Sequence, residues 1–572
     1  MTASVPRPHS RTTAFTAPVM VALGFILAGA AFLLPVNLKS VSPALLSAAG
    51  AGTPTLGAYG RDLVDTEKIG PAALVLAAAK TTHDPRAESL GTAIAQYAAR
   101  QPGLMAWGGW DPFLDPLFNI RADTGKKGST PVLTFIVPAK ARDTLKKTLE
   151  KSGSEGVQSL LKLRDLTNTG RFVPAMRPGG QPLDALILLT GLLYQGGHMS
   201  SPLQRELRGL IDVALTRKEL GEMEPFFINV LSLGRRLDWA QLAELMKRTD
   251  STKTVSEYAH LARVAPDQLP LIYSAALFSN SADRVAAYLI EFGKAGLEDL
   301  TLALTNGQGA VQQLLLRKVP VNRSGNSRVA AGAELALTHP QLMLGLKYLG
   351  FFIGVWLILR GLDRWLVGAN GTAMFPVTMG GMKAGVLALV FAMLLIVVSE
   401  PFLLKAAPPS EFQFRLPVLV SVANSPLSPQ QTESVKTMDT STLLSIGFFA
   451  ALQVAMYFIC LMKIREIDRR PISPLIKLRL MENEENLFDG GLYVGIGGTA
   501  TALVLQVLKV IEPNLLAAYS SNLFGIVCVA MVKIRHVRPY KHRLILEGQV
   551  GVSPLGETNE RAVASARSTA AL

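Results

Sequence analysis

AGVLALVFAMLLIVVSEPFLL, the stretch Ala384–Leu404, carries one charged side chain, Glu400, in 21 residues. A helix that crosses a membrane needs about 20 predominantly apolar residues, so this stretch predicts such a helix. Five further stretches have the same character: Ala14–Val36, Leu342–Leu359, Thr442–Met462, Gly491–Val510 and Leu515–Val532. The sequence therefore predicts an all-α membrane protein with six transmembrane helices.

The composition of the whole chain agrees with a membrane protein and excludes several other classes. Of the 572 residues, 49% are hydrophobic and only 17% are charged, and the mean hydropathy is +0.30. Abundant Phe, Leu, Val and Ile exclude low-complexity disorder. Both cysteines, Cys460 and Cys528, lie in apolar runs, and the seven histidines are scattered, so we expect no disulfide framework and no metal site. We identify no catalytic residues, and we expect neither an enzyme nor a bound cofactor.

The distribution of Lys and Arg predicts the topology. Basic residues lie at the N-terminus and after the second, fourth and sixth spans: Arg7 and Arg11; Arg360, Arg364 and Lys383; Lys463, Arg465, Arg469, Arg470, Lys477 and Arg479; Lys533, Arg535, Arg538, Lys541 and Arg543. These segments all face the cytoplasm in a multi-pass protein of the bacterial inner membrane with both ends inside. The net charge of +14 then reflects topology and contact with anionic membrane lipids, and no nucleic-acid partner is expected.

The predicted spans divide the chain into six regions. They are a cytoplasmic N-terminus with a signal-anchor helix (1–36), an extracytoplasmic helical domain (37–340), a transmembrane hairpin (341–404), an extracytoplasmic loop (405–440), a three-helix membrane unit (441–545) and a disordered cytoplasmic tail (546–572). The first span is interpreted as an uncleaved anchor, and a cleaved secretory signal is the alternative. Either interpretation puts the residues after it outside the cytoplasm.

Short amphipathic helices follow one another in the extracytoplasmic domain from about Leu183 to Leu316. In one of them, Ser281–Phe292, apolar residues recur at helical spacing behind an N-capping Ser281, and Gly293 is the predicted stop. Asp238 is predicted to cap another helix. Such helices in succession predict an α-solenoid-like domain, and a compact helical bundle is the alternative.

Two segments before that array have local interpretations. Pro131–Val137 is the best candidate for a strand. The motif from Trp107 to Pro116 places Asp111 and Asp115 beside aromatic residues, as in a carbohydrate site, but Asp followed by Pro is the ordinary start of a turn or helix. We favour the structural interpretation.

Few polar residues lie within the spans. Lys347 and Glu400 lie near the outer ends of the second and third spans, where both side chains are expected to reach water. Gln453 and Gln506 are predicted to form hydrogen bonds between helices. No acid lies near the centre of a span, so the chain alone is not expected to relay protons.

The last two spans combine small and hydroxyl-bearing residues. Gly491, Gly495 and Gly498 would allow close contact between helix backbones. Five residues are candidates for lining a polar ion pathway between helices: Thr499, Thr501, Ser520, Ser521 and Asn522. Close packing alone is the alternative explanation of the same residues.

Residues 441–545 resemble the MotA/TolQ/ExbB proton-channel family. Gly495-Ile-Gly-Gly-Thr499 is similar to the start of that family's in-to-out span, and Ala518–Gly525 is similar to its out-to-in span, with Asn522 where threonine is usual. The resemblance implies a homo-oligomer around the helix of a small single-span membrane protein that supplies an intramembrane Asp. The predicted function is then a membrane subunit of an ion-driven, proton-channel-like complex coupled to an extracytoplasmic partner. The alternative is a non-catalytic, membrane-anchored scaffold whose outer helical domain recruits partner proteins.

Overall fold

The computed structural model describes residues 11–122, 128–323, 332–370, 377–403, 440–507 and 515–550. Two compact units divide these residues. The membrane unit contains the described residues before Ser40 and after Thr338, and the helical unit contains those from Ser40 to Thr338. Both units are built from helices, and the described residues include two isolated β-bridges but no strand.

The helices follow one another closely along the chain. The described residues form α1 (Arg11–Leu33), α2 (Pro43–Gly50), α3 (Leu56–Asp65), α4 (Ile69–Thr81), α5 (Ala87–Arg100), α6 (Pro102–Trp107), α7 (Asp115–Phe118), α8 (Val132–Ile136), α9 (Ala139–Leu149), α10 (Glu155–Lys162), α11 (Gln181–Gln195), α12 (Ser201–Arg217), α13 (Met223–Gly234), α14 (Trp239–Met246), α15 (Thr252–Val264), α16 (Leu269–Ser279), α17 (Ala282–Asn306), α18 (Gln308–Arg317), α19 (Ala333–Thr338), α20 (Pro340–Asn370), α21 (Val377–Ser399), α22 (Thr440–Asp468), α23 (Pro474–Asn483), α24 (Glu485–Phe488), α25 (Gly490–Val507), α26 (Leu515–Met531) and α27 (Arg538–Val550). Short 3₁₀ turns span Ile120–Ala122, Leu163–Asp165, Pro266–Gln268 and Pro401–Leu403, and a π-helical turn, Val532–Val537, joins α26 to α27.

Three helices are long and apolar enough to cross a membrane. Their candidate spans are Thr16–Leu33 in α1, Pro340–Trp365 in α20 and Ile446–Asp468 in α22. The other three predicted spans coincide with α21, α25 and α26, each of which has side chains outside the described residues at one end. The structure therefore supports a helical membrane protein with three candidate spans, and the count of six stays a prediction.

Small residues bring α1 and α20 together. A Cβ added at Gly24 would lie 2.6 Å from the carbonyl oxygen of Gly354, so the two backbones are in direct contact. This is how membrane helices pack where no side chain separates them. Nearby, the fully buried Phe351 forms an apolar cluster with Ala31 of α1 and Ala392 of α21.

A second cluster in the membrane unit joins α22 to the C-terminal helices. α26 packs against α22 and α25, and α27 packs against α23. Their shared core consists of buried apolar residues: Cys460, Ile464, Ile467, Met481, Phe488, Cys528, Val532 and Val537. The two cysteines are therefore packing residues, and both are free thiols.

The helical unit is a double row of helices with a cover. α13, α15 and α17 pack in one row, and α14, α16 and α18 pack in a second row. Contacts between next-but-one helices are those of stacked helix hairpins, as the solenoid prediction expects. However, α4 packs on α14 and α16, and α2 packs on α17 and α18. The chain's own N-terminal helices thus cover the second row and share its core.

The predicted caps are confirmed. Ser281 Oγ accepts the backbone N–H of Arg284, and Asp238 with Gln241 forms a complete capping box at the start of α14. The predicted stop at Gly293 is confirmed, because the backbone there is not helical (φ 58°, ψ −135°); a second helical segment follows this kink to Asn306, and α17 comprises both segments. Glycine adopts this backbone conformation without the strain that a Cβ would cause, so the first helical segment ends there and the chain turns into the second.

The predicted strand Pro131–Val137 is also wrong, because the segment forms α8. Val132, Leu133 and Ile136 are buried, a spacing that fits one face of a helical turn. Burial of this face overrides the strand preference of the β-branched residues.

The two ends of the helical unit lie side by side. Val41 N donates to Pro320 O at 3.0 Å, and Asn322 N donates to Val41 O at 2.8 Å. The buried Asp299 carboxylate holds this pair of segments, since it accepts from Val321 N at 2.9 Å. Adjacent ends are typical of a domain inserted into another, so the helical unit is an insertion in the membrane unit.

Candidate functional site

The predicted site is the contact between α25 and α26, which we call the glycine seam (Gly491, Gly495, Gly498 and Gly525). A Cβ added at Gly525 would lie 2.6 Å from Gly491 O, and one at Gly495 would lie 2.9 Å from Ser521 O. Both neighbouring atoms belong to the backbone, so neither can move aside without moving a helix. The seam is therefore a backbone-to-backbone contact that depends on the absence of side chains.

The structure brings two of the five candidate pathway residues to one atom of this seam. Thr499 Oγ1 donates to Gly495 O at 3.0 Å, within its own helix, and Ser521 Oγ reaches the same oxygen from α26 at 3.3 Å. Ser521 is fully buried. The Ser521 hydroxyl thus joins α26 to α25, whereas the Thr499 hydroxyl bonds to the backbone of its own helix.

Among the other three candidates, the side chains of Asn522 and Ser520 are described. Asn522 is half-buried, and its side-chain oxygen is buried without a hydrogen-bond partner among the described residues. Ser520 is half-buried, and the side chain of Thr501 lies outside the described residues. Thr499, Ser521 and Asn522 are thus the predicted residues that the structure places at or beside the seam.

A third helix, α22, contacts the seam through the side chain of Gln453. Its Nε2 donates to Gly491 O at 3.0 Å, which confirms the predicted hydrogen bond between helices. Its Oε1 is buried and has no hydrogen-bond partner in the described part of the chain. The Cys528 thiol lies 3.5 Å from Gln453 O and completes the contact between α22 and α26. The side chain of Gln506 lies outside the described residues.

A second polar cluster of the membrane unit differs from its prediction. Lys347 and Glu400 do not reach water; their side chains are 2% and 1% exposed, and Nζ lies 3.3 Å from Oε1. Lys347 also donates to Val36 O at 2.7 Å and to Asn37 Oδ1 at 2.6 Å. We call Lys347, Glu400 and the groups that hydrogen-bond to them the lysine–glutamate latch.

The glutamate side of the latch is equally well satisfied. Glu400 Oε1 accepts from Tyr348 Oη at 3.1 Å, and Oε2 accepts from Leu38 N at 2.8 Å. Sequence reasoning missed the pairing because the two charges lie 53 residues apart, one on α20 and the other directly after α21. The latch ties together the end of α1, the start of α20 and the end of α21.

The aromatic motif of the helical unit contains a structural carboxylate. Asp111 Oδ1 accepts from Phe113 N at 2.8 Å, as the predicted turn requires. Its Oδ2 lies 2.8 Å from His198 Nε2 and 3.1 Å from Trp239 Nε1. Although burial favours the neutral acid, the hydrogen bonds from His198 and Trp239 hold the pKa of Asp111 below its usual value. Asp111 thus joins three distant segments, and the carbohydrate interpretation gains no support.

The buried carboxyl of Asp238 should make the stability of the helical unit depend on pH. Burial raises its pKa to about 7, despite hydrogen bonds from Gln241 N and Ser129 Oγ. A carboxyl whose pKa is raised by folding adds stability below its unfolded pKa of about 4, and this stability is lost as the pH rises through 7. We expect the free energy of unfolding to fall by about 1.4 kcal/mol between pH 6 and pH 8.

Urea unfolding of the full-length protein, followed by Trp fluorescence at both pH values, measures this change. Asp238→Asn should remove most of the difference, since Asn keeps the cap without the titrating group. The exposed Asp62 offers the control, because Asp62→Asn should leave the difference intact. Equal stability of the native protein at pH 6 and pH 8 would contradict the assignment.

No group of metal-ligating side chains occurs among the described residues. No protein-family model matches the chain, and no curated protein or solved structure is significantly similar to it. The resemblance to the MotA/TolQ/ExbB family therefore stays a prediction based on the motifs of α25 and α26.

Proposed function

We propose that this protein is a non-catalytic, membrane-anchored scaffold whose helical unit recruits partner proteins outside the cytoplasm. The observation that carries the proposal is that two of the candidate pathway hydroxyls form hydrogen bonds to the protein backbone. Thr499 and Ser521 both hydrogen-bond to Gly495 O, inside a contact too close for a single Cβ. The Ser521 bond between the two helices, together with the close contact of their backbones, supports an anchoring role for α25 and α26.

The lysine–glutamate latch supports the same proposal. Its members lie at the points where the chain leaves the membrane unit for the helical unit and returns from it, at residues 36–38 and 347–348. A buried ion pair is costly unless every polar atom is satisfied, and here the protein supplies the partners. An anchor that presents a large inserted domain needs such a fixed base.

A second candidate function is the ion-driven complex, and one observation favours it. Gln453 Oε1 and Asn522 Oδ1 are buried acceptors without a hydrogen-bond partner in the described residues. Buried polar atoms in a membrane gain stability from a donor, and a neighbouring transmembrane helix would supply one. In this alternative, copies of the chain assemble around a small single-span protein that carries the proton-binding Asp.

Thr499→Val and Asn522→Leu together separate the two functions. Each removes a polar group while leaving the seam glycines unchanged. For the scaffold we expect both variants to assemble normally and keep full activity in cells, since one hydrogen bond between membrane helices contributes about 0.6 kcal/mol. Membrane level, oligomer size and growth phenotype are measured side by side. Loss of activity with normal assembly would contradict the scaffold and favour the ion pathway.

A further inference from the structure

Two arginines of the helical unit share a single carboxylate. Arg142 Nη1 donates to Asp184 Oδ2 at 2.6 Å, and Arg164 Nε donates to Asp184 Oδ1 at 2.6 Å. Arg142 lies in α9, Arg164 in the 3₁₀ turn after α10, and Asp184 in the first turn of α11. In the described part of the chain, no other carboxylate pairs with two guanidinium groups. Because both oxygens belong to one carboxylate, the two guanidinium groups, which we call the arginine pair, lie close together.

The arginine pair carries one more positive charge than its partner can neutralise. The side chain of Asp184 is 4% exposed, and those of Arg142 and Arg164 are 17% and 13% exposed. Among the residues that the structure describes, neither arginine has a second carboxylate within ion-pair distance. Water screens a partly buried charge only weakly, so the excess charge is unfavourable. An anion bound beside Asp184 would balance it.

The arginine pair also has hydrogen-bond donors to offer to an anion. Arg142 uses Nε for Val137 O and Nη1 for Asp184, whereas Arg164 uses Nε alone. Nη2 of Arg142 and both Nη atoms of Arg164 form no hydrogen bond within the described ranges, and none of these nitrogens is enclosed by the protein. They are therefore open to an oxyanion from solution, whose oxygens match guanidinium groups in geometry as well as charge.

The starts of two helices add positive potential at the same place. Val137, whose carbonyl oxygen accepts from Arg142, lies just before α9, and Asp184 lies in the first turn of α11. No described side chain caps the first amides of either helix. Such amides and the helix dipole favour an anion near a helix start. The helix starts strengthen the attraction, and the arginine pair defines where the anion would bind.

We infer that Arg142 and Arg164 bind a small oxyanion such as phosphate beside Asp184. The bound anion would balance the charge of the arginine pair and fasten α9, the 3₁₀ turn after α10 and α11 to one another. The site is independent of the choice between scaffold and ion pathway, because it lies within the helical unit and involves none of the residues of the glycine seam.

Isothermal titration calorimetry of the full-length protein in detergent tests the site, with inorganic phosphate as the ligand and chloride at equal ionic strength as the comparison. We expect saturable binding of phosphate and none of chloride, which lacks oxygens that fit a guanidinium group. Arg164→Gln should weaken phosphate binding at least about tenfold, because it removes a charged donor group. The variant keeps the ion pair of Arg142 and Asp184, and its circular dichroism spectrum should match that of the native protein.

Lys68→Gln is the matched control. Glu244 also pairs with two cations, Lys68 and Arg248, so this variant removes the same charge from a comparable cluster of the helical unit. Only one of its cations is a guanidinium group, and we expect phosphate binding to stay unchanged. Equal loss of binding in Lys68→Gln and Arg164→Gln would show a general effect of net charge and would overturn the inference.

Asp184→Asn distinguishes an anion site from an ion cluster that only holds the helices together. Removing the carboxylate leaves both arginines without a counter-charge, so phosphate should bind at least about tenfold more tightly. Unchanged binding in this variant, no saturable binding to the native protein, or equal binding of chloride would each overturn the inference. If Asp184→Asn fails to fold, the comparison of Arg164→Gln with Lys68→Gln decides.

Discussion

Breaking the lysine–glutamate latch from one side is expected to lower the free energy of unfolding by about 3–5 kcal/mol. Lys347→Met would leave the Glu400 carboxylate buried without its cation, and Glu400→Gln would leave the Lys347 ammonium without its counter-charge. Uncompensated buried charge is among the most destabilising single changes in a protein. Unfolding of the purified protein in increasing denaturant, together with its level in membranes, measures the loss.

The double variant Lys347→Met with Glu400→Gln separates charge from packing. It removes both charges but keeps an amide whose oxygen can accept from Leu38 N and whose nitrogen can donate to Tyr348 Oη. We expect its loss of stability to be well below the sum of the two single losses. The exposed pair Arg543 and Glu547 is the control, since its removal should cost about 0–1 kcal/mol. Additive losses in the double variant would contradict a coupled latch.

The second large effect is expected at the glycine seam. Gly525→Leu and Gly495→Leu each place a side chain against the backbone of the facing helix, where even a Cβ would lie 2.6 Å and 2.9 Å from a carbonyl oxygen. Inserting bulk into a packed contact typically costs about 1–3 kcal/mol, and a backbone neighbour leaves little room for relaxation. We expect both variants to lose the contact between α25 and α26 and to fall in membrane level.

Gly497→Leu is the matched control for this prediction. Gly497 lies on the same helix between Gly495 and Gly498, but a Cβ added there would meet nothing within 4 Å. The substitution should therefore be tolerated. If Gly497→Leu and Gly495→Leu have the same effect on the thermal stability of the purified protein, the added side chain acts independently of the facing helix, and the seam is not as described.

Local sequence signals predicted the helices and their ends well. The caps at Ser281 and Asp238 depend on residues within one turn, so the sequence contains the whole signal. The apolar stretches likewise predicted helices at α20 and α22, and small residues predicted the close approach at Gly495. Each of these features is decided by neighbours in the chain.

The features that the sequence did not predict depend on distant partners. Asp111 contacts Trp239 from 128 residues away, and the chain between them carries no sign of the pairing. Pro131–Val137 has a strand's composition, but burial against the helical core turns it into α8. The covering of the second helical row by α2 and α4 is a tertiary contact of the same kind. Such contacts override local preference because they bury whole faces of the chain.

The central prediction, made from the distribution of Lys and Arg, is that residues 37–340 and the basic segments after the fourth and sixth predicted spans lie on opposite sides of the membrane. Labelling with a membrane-impermeant maleimide tests it most directly, after Cys460 and Cys528, the chain's two cysteines, are replaced by Ala. Single cysteines are then introduced at two exposed serines, Ser89→Cys in α5 and Ser473→Cys before α23. We predict that intact cells label Ser89→Cys at once and Ser473→Cys only after permeabilisation. Labelling of both positions from the same side would contradict the account.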